Sequence, residues 1–107
     1  MKVNILGTEY DVQILSDKKF KKDPLISIEV EELNGLCSGL DKRIVIRKFD
    51  DLKTQNHILR HEIIHAFQFE SGIEHSWRVG EWGIESETDW LAYQIPKIVK
   101  LFEELGI

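Results

Sequence analysis

With 107 residues, 42% of them hydrophobic, and a net charge of −5, the chain has room for one domain, residues 1–107, and no second independent core. The acidic balance excludes nucleic acid as the main partner, because phosphate binding needs Lys and Arg gathered on one face. No apolar run approaches the ~20 residues of a membrane span, no cleavable signal precedes the patterned sequence after Met1, and Cys37 is the only cysteine, so no membrane partner, no internal disulfide and a reducing, cytoplasmic location are expected.

Val3 and Ile5, then Tyr10, Val12 and Ile14, alternate around a Gly7-Thr8 turn signal and predict a β-hairpin. From Ser16 to Pro24 the pattern is lost. The Lys18, Lys19, Lys21, Lys22 cluster is broken by Phe20 and flanked by Asp17 and Asp23, which suits a solvated loop or turn better than a binding patch. Ile26 and Ile28 resume alternation, while Asn34-Gly35 and Ser38-Gly39 mark turns. The β-branched run Arg43 to Arg47 predicts a short strand. It is a candidate edge that could pair with an extended peptide, or an edge merely protected by Arg43, Arg47 and Lys48.

Asp50 or Asp51 is a suitable N-cap for a helix running to about Ser71, with Gly72 as its stop. Leu59, Ile63, Ala66 and Phe67 cover one side of it, and Ile58, Ile64 and Phe69 widen the apolar surface, so this helix is central. A linker from Gly72 to about Gly83 carries His75, Trp77 and Trp82. A second helix follows from about Ile84 to Glu104, with an apolar stripe of Ile84, Leu91, Ile95, Ile98, Val99 and Phe102. Pro96 removes one backbone donor within it.

The chemistry lies on these two helices. His61-Glu62-Ile63-Ile64-His65 is an HExxH motif, in which two His four residues apart lie about 40° apart around the axis and about 6 Å apart along it. Both imidazoles can therefore converge on one ion, with Glu62 beside the open coordination position. Burying two His and a Glu in an apolar helix is costly without a partner, and a metal is that partner. The bland alternative is a pair of half-exposed histidines hydrogen-bonded to neighbours. A catalytic zinc also needs a third protein ligand. Glu85 and Asp89, four apart, share one helix face: Glu85 would ligate and Asp89 would accept the far ring proton of a ligating His, His61 being the expected one. Glu87 is the rival ligand but projects roughly opposite Glu85, and Asp89 could instead simply complement the helix dipole.

HExxH followed, after a spacer of nineteen residues, by Glu-x-x-x-Asp resembles the gluzincin pattern of thermolysin-like and membrane-bound CAAX-processing peptidases. The run from Arg60 to Gly72, with Asp89-Trp90-Leu91-Ala92, is similar to small metallopeptidases encoded by phages and mobile elements, and the acidic segment resembles that of the ImmA/IrrE-like peptidases, whose members act on repressor proteins. The resemblance covers about the C-terminal half. It implies an α+β, small zincin-like (minigluzincin-like) domain: an N-terminal antiparallel or mixed sheet packed on a central HExxH helix and a C-terminal Glu-bearing helix. It also implies one catalytic Zn2+ on His61, His65 and Glu85, with Glu62 as general base and Asp89 orienting a His. Thr88 departs from the small apolar residue of many relatives, and no accessory domain is present to shape specificity.

A zinc endopeptidase is thus the leading expectation, its substrate a peptide or protein and its oxyanion donor drawn from His75 and Tyr93. For those two the plainer roles are an exposed loop residue and a helix-surface aromatic. His57 lies too far along the axis to ligate the same ion and reads as helix surface. The alternative from another class is a metal-stabilised protein-binding module, against which the presence of Glu62 argues, because a structural site needs no base. A metal-free interaction domain is a third alternative.

Overall fold

The computed structural model describes residues 1–26, 33–73 and 84–107, the last stretch without the side chains of residues 84–86, 88, 89 and 92. Strands β1 (Lys2–Ile5) and β2 (Thr8–Leu15) form the expected antiparallel hairpin, with Val3 opposite Tyr10 and Ile5 opposite Thr8. Leu6 and Gly7 both have positive φ, 51° and 92°, the combination that a two-residue hairpin turn demands. Asn4 Oδ1 secures that turn by accepting from the Gly7 amide at 2.7 Å. Val3, Ile5, Tyr10 and Val12 face the core, whereas Ile14, of the same parity, is largely exposed.

Where the pattern lapses, the chain forms a six-residue helix, α1 (Asp17–Lys22), instead of the expected loop. Ser16 caps it by accepting from the Lys19 amide, and Phe20, the residue that interrupts the lysines, is buried. One inward ring fixes the helix while the lysines stay in water. The strand expected at Ile26 and Ile28 falls largely outside the described residues. β3 (Gly35–Ser38) and β4 (Arg43–Arg47) complete a four-stranded sheet in the order β1-β2-β4-β3.

Two expectations are corrected here. Arg43–Arg47 is an interior strand, parallel to β2 and antiparallel to β3, and among the described residues the strand at the sheet's end on that side is β3. Ile44, Val45 and Ile46 are all completely buried because both faces are covered. Ile44 and Ile46 join the main core, while Val45 projects to the face on which α1 lies. A continuous β-branched run is the signature of that two-sided burial. Asn34-Gly35 leads into a strand instead of a turn, whereas Ser38-Gly39 opens the expected turn, residues 39–42, in which Ser38 Oγ accepts from the Asp41 amide at 3.1 Å; both glycines serve close packing, as shown below.

Helix α2 (Leu52–Glu70) matches expectation at both ends. The Asp51 carboxylate accepts from the Lys53 amide at 3.1 Å and from Thr54 Oγ1 at 2.7 Å. Gly72, at φ 81°, and the amide of Ile73 close it with bonds to the carbonyls of Phe69 and Gln68, a left-handed glycine stop. Leu59, Ile63, Ala66 and Phe67 are buried against the sheet.

Helix α3 (Ile84–Leu105) contains Pro96 and runs as expected in extent, but it buries only part of the expected stripe, Ile98 in the core and Phe102 against it. Trp90, Ile98 and Leu101 are in the core, whereas Leu91, Ile95 and Val99 are 39–48% exposed. The Trp90 indole N–H donates to Ser71 Oγ at 2.8 Å, which fixes the N-terminal part of α3 beside the C-terminal end of α2.

Candidate metal centre

Three residues of α2 come together. The donor atoms of His61, Glu62 and His65 all lie within 4.8 Å of one another. The two Nε2 atoms are 3.1 Å apart, and the rings meet edge to face with centroids 4.7 Å apart. Two nitrogens bound at 2.0–2.1 Å in a tetrahedral site would stand about 3.3 Å apart, so the pair is already close to the span of a shared zinc ion. Helical spacing alone would allow the rings to diverge. Here they converge.

Gln68 explains part of the convergence. Its Oε1 lies 2.9 Å from His65 Nδ1 and can only accept, so Nδ1 carries the proton and Nε2 presents a lone pair. This is the orienting contact a ligating His requires. The sequence reading assigned such a contact to Asp89 on a ligating His and overlooked Gln68, although its position three residues beyond His65 on the same helix was the available signal.

Glu62 is 6% exposed. Burial raises its carboxyl above the usual carboxylate range, partly offset by the nearby charge of His65. His61 is exposed and lines the cleft, and partial desolvation, then the charges of His65 and His57, lower its imidazole below the ordinary value. The two shifts work against a proton on His61 and a charge on the Glu62 carboxylate. A divalent cation reverses the second and uses the first. The donor set of two imidazoles and a neighbouring carboxylate fits zinc.

The three residues open onto a cleft of about 400 Å³ between α2 and β3, lined also by Asn34, Leu36, Cys37, His57 and Phe69. Gly35 and Gly39 bring the strand this close. A methyl group on Gly35 would lie 3.1 Å from Glu62 Cγ and from Cγ2 of Ile46 and Ile58, and one on Gly39 would overlap the Phe69 ring. His57 is exposed on the cleft wall, in keeping with its helix-surface reading.

Glu85 and Asp89 lie on α3, four residues apart in its first turns, with side chains outside those described. Glu87 is exposed, as expected of a solvent-facing acid. Tyr93 is 71% exposed, and His75 lies outside the described residues, as do Trp77 and Trp82. Among the described residues no helix is long and apolar enough to cross a membrane. No protein-family model, curated protein or solved structure matches the chain.

Proposed function

We propose that this chain is a zinc-dependent endopeptidase of the gluzincin type, its metal held by His61, His65 and Glu85. The observation that carries the reading is the 3.1 Å approach of the two imidazole Nε2 atoms with the buried Glu62 carboxylate beside them, lining a cleft bounded by a sheet edge. Zinc bound there would supply Lewis-acid polarisation of a peptide carbonyl and lower the pKa of the attacking water toward neutrality.

The protein's own groups do the rest. Glu62 accepts a proton from the water as its oxygen forms a bond to the carbonyl carbon, then passes that proton to the leaving amine as the C–N bond breaks. Its burial supports the role, because a carboxyl raised toward neutrality exchanges protons more readily in both directions. Gln68 holds the His65 ring in the ligating tautomer. β3, rather than the interior β4, is the edge along which an extended substrate would add as a further strand. Glu85 is proposed as the third ligand on the gluzincin-like spacing from HExxH to Glu-x-x-x-Asp, and the Trp90–Ser71 hydrogen bond brings the first half of α3 to the end of α2. Asp89 is proposed to accept the far ring proton of His61, and His75 or Tyr93 to donate to the developing oxyanion.

The resemblance of the acidic segment to peptidases that act on repressors makes a regulatory protein the proposed substrate, and the single cysteine suits a cytoplasmic setting. The test is zinc content together with hydrolysis of an unstructured protein. Glu62→Gln should keep about one zinc per chain and lose cleavage by at least about 100-fold, and Glu85→Ala should lose the metal while Glu87→Ala keeps it. Cleavage by Glu62→Gln at the parent rate would overturn the mechanism. Zinc binding without turnover in the parent would leave the metal-stabilised binding module in its place.

A further inference from the structure

The metal cleft is lined, one helical turn beyond His65, by a ring whose position is fixed from several sides. Phe69 follows His65 by one helical turn, so the two share the face of α2 that lines the cleft. The ring lies directly on the backbone of Gly39. A methyl group at residue 39 would stand 2.2–2.4 Å from Cγ, Cδ1 and Cδ2 of Phe69, closer than carbon atoms approach. The Lys42 ammonium sits 4.7 Å from the centre of the same ring, within the range of a cation–π contact. Lys42 is held in turn by a 2.7 Å ion pair with Glu70, whose carboxylate also accepts the Tyr10 hydroxyl at 2.6 Å.

These anchors give the ring little freedom, yet it is only partly buried and faces the cleft. Among the described residues, the charges beside it, Lys42 and Glu70, are paired with one another. Burial works to raise the Glu70 carboxyl, but the hydrogen bonds from Lys42, Tyr10 and Thr8 together hold it below the usual range, so Lys42 and Glu70 neutralise one another at neutral pH. That part of the cleft therefore presents an apolar face to whatever lies across the metal.

We propose that Phe69 is a specificity-determining residue, an aromatic wall that receives an apolar substrate side chain close to the scissile bond, with Gly39 and Lys42 as the residues that position it. The proposal rests on the peptidase reading above. Rigid placement matters because an ordered ring loses little entropy when a side chain packs on it, whereas a mobile one would select poorly.

The experiment measures kcat/KM for quenched peptides that differ only at the residues flanking the cleaved bond, with Phe, Leu, Ser or Asp at each. The zinc-loaded parent should prefer Phe or Leu over Ser at one flanking position by about 10- to 100-fold. In Phe69→Ala that ratio should fall below about 3-fold with zinc content unchanged, and Gly39→Ala, which must displace the ring, should reduce it in the same direction. In the double variant Gly39→Ala should have no additional effect on the ratio, as expected if it acts through the ring. Glu70→Gln leaves Lys42 uncompensated and should raise the relative rate of the Asp peptide. If Phe69→Ala does not fold, Phe69→Leu decides, since the parent's preference for Phe over Leu must then fall. An undiminished ratio in zinc-replete Phe69→Ala or Phe69→Leu overturns the wall while leaving the peptidase standing. A zinc-loaded parent that cleaves none of the peptides removes the peptidase reading and this inference with it.

Discussion

The two histidines and Glu62 were legible in the sequence because their chemistry depends on helical spacing alone, and spacing survives whatever the rest of the chain does. Gln68 was not, since a glutamine on a helix surface is ordinarily solvated and only the ring orientation of His65 gives it a task. That task is measurable. Removing the acceptor at Nδ1 leaves the ring free to adopt the wrong tautomer or rotate, so Gln68→Ala should weaken zinc binding by about 10- to 100-fold, read by competition with a chromophoric chelator. Gln68→Glu should restore or tighten it, because a carboxylate is the stronger acceptor and makes the imidazole a better ligand. Equal zinc affinity in all three proteins would show that the 2.9 Å contact does not orient the ring. The identity of the third ligand depends on the approach of two helices, which no local pattern in the chain encodes.

At the scale of elements, the sequence disclosed the hairpin, the HExxH helix and the extent of α3, all long or strongly periodic. It misassigned what depends on tertiary placement. The run Arg43–Arg47 gave no sign that β3 lies outside it, because a strand's neighbours are set by pairing and not by its own residues. α1 was missed since six residues with one apolar ring carry almost no periodicity. In α3 the apolar positions fall on two overlapping faces, and periodicity could not choose between them. The structure chooses Trp90, Ile98 and Leu101, and stability can check it. Leu101→Ala, in the core, should cost about 2–4 kcal/mol, whereas Val99→Ala, 45% exposed, should stay within about 0.5 kcal/mol, both by urea unfolding. Phe20→Ala should cost about 3–5 kcal/mol, for its ring is the residue through which α1 holds the sheet. A chain of this size has only about 5–10 kcal/mol to lose, so a negligible cost at Phe20 would exclude α1 from the cooperative fold.

For the whole molecule, two of the polar links between elements distant in sequence predict how stability responds to acid. The Arg43 guanidinium, which hydrogen-bonds Asp23 at 2.9 and 3.2 Å, holds that carboxyl below its ordinary value against the opposing effect of burial. Glu70 is also lowered, its burial outweighed by Lys42, Tyr10 and Thr8. A carboxyl whose folded pKa lies below its unfolded value stabilises the fold fully above the unfolded value, and that contribution disappears as pH falls through the folded one. Both contributions should therefore be complete above about pH 4.5 and decline progressively below about pH 4, with or without metal. Zinc adds a separate dependence at higher pH. Binding to the folded chain stabilises it by about 2.7 kcal/mol at a hundredfold excess over Kd, but protons compete with the metal for its imidazole ligands, and His61 is held below its ordinary value. The difference in Tm between zinc-loaded and chelator-treated protein should thus be largest at pH 7–8 and diminish as pH falls toward about 5, before either ion pair is affected. Asp23→Asn should cost about 1–3 kcal/mol and flatten the acid limb while leaving that Tm difference unchanged, because residue 23 lies on the face of the sheet away from α2. A zinc-dependent Tm difference that persists undiminished at pH 5 would mean that the stabilising ion is not held by His61 and His65, and the metal would have to be sought elsewhere in the fold.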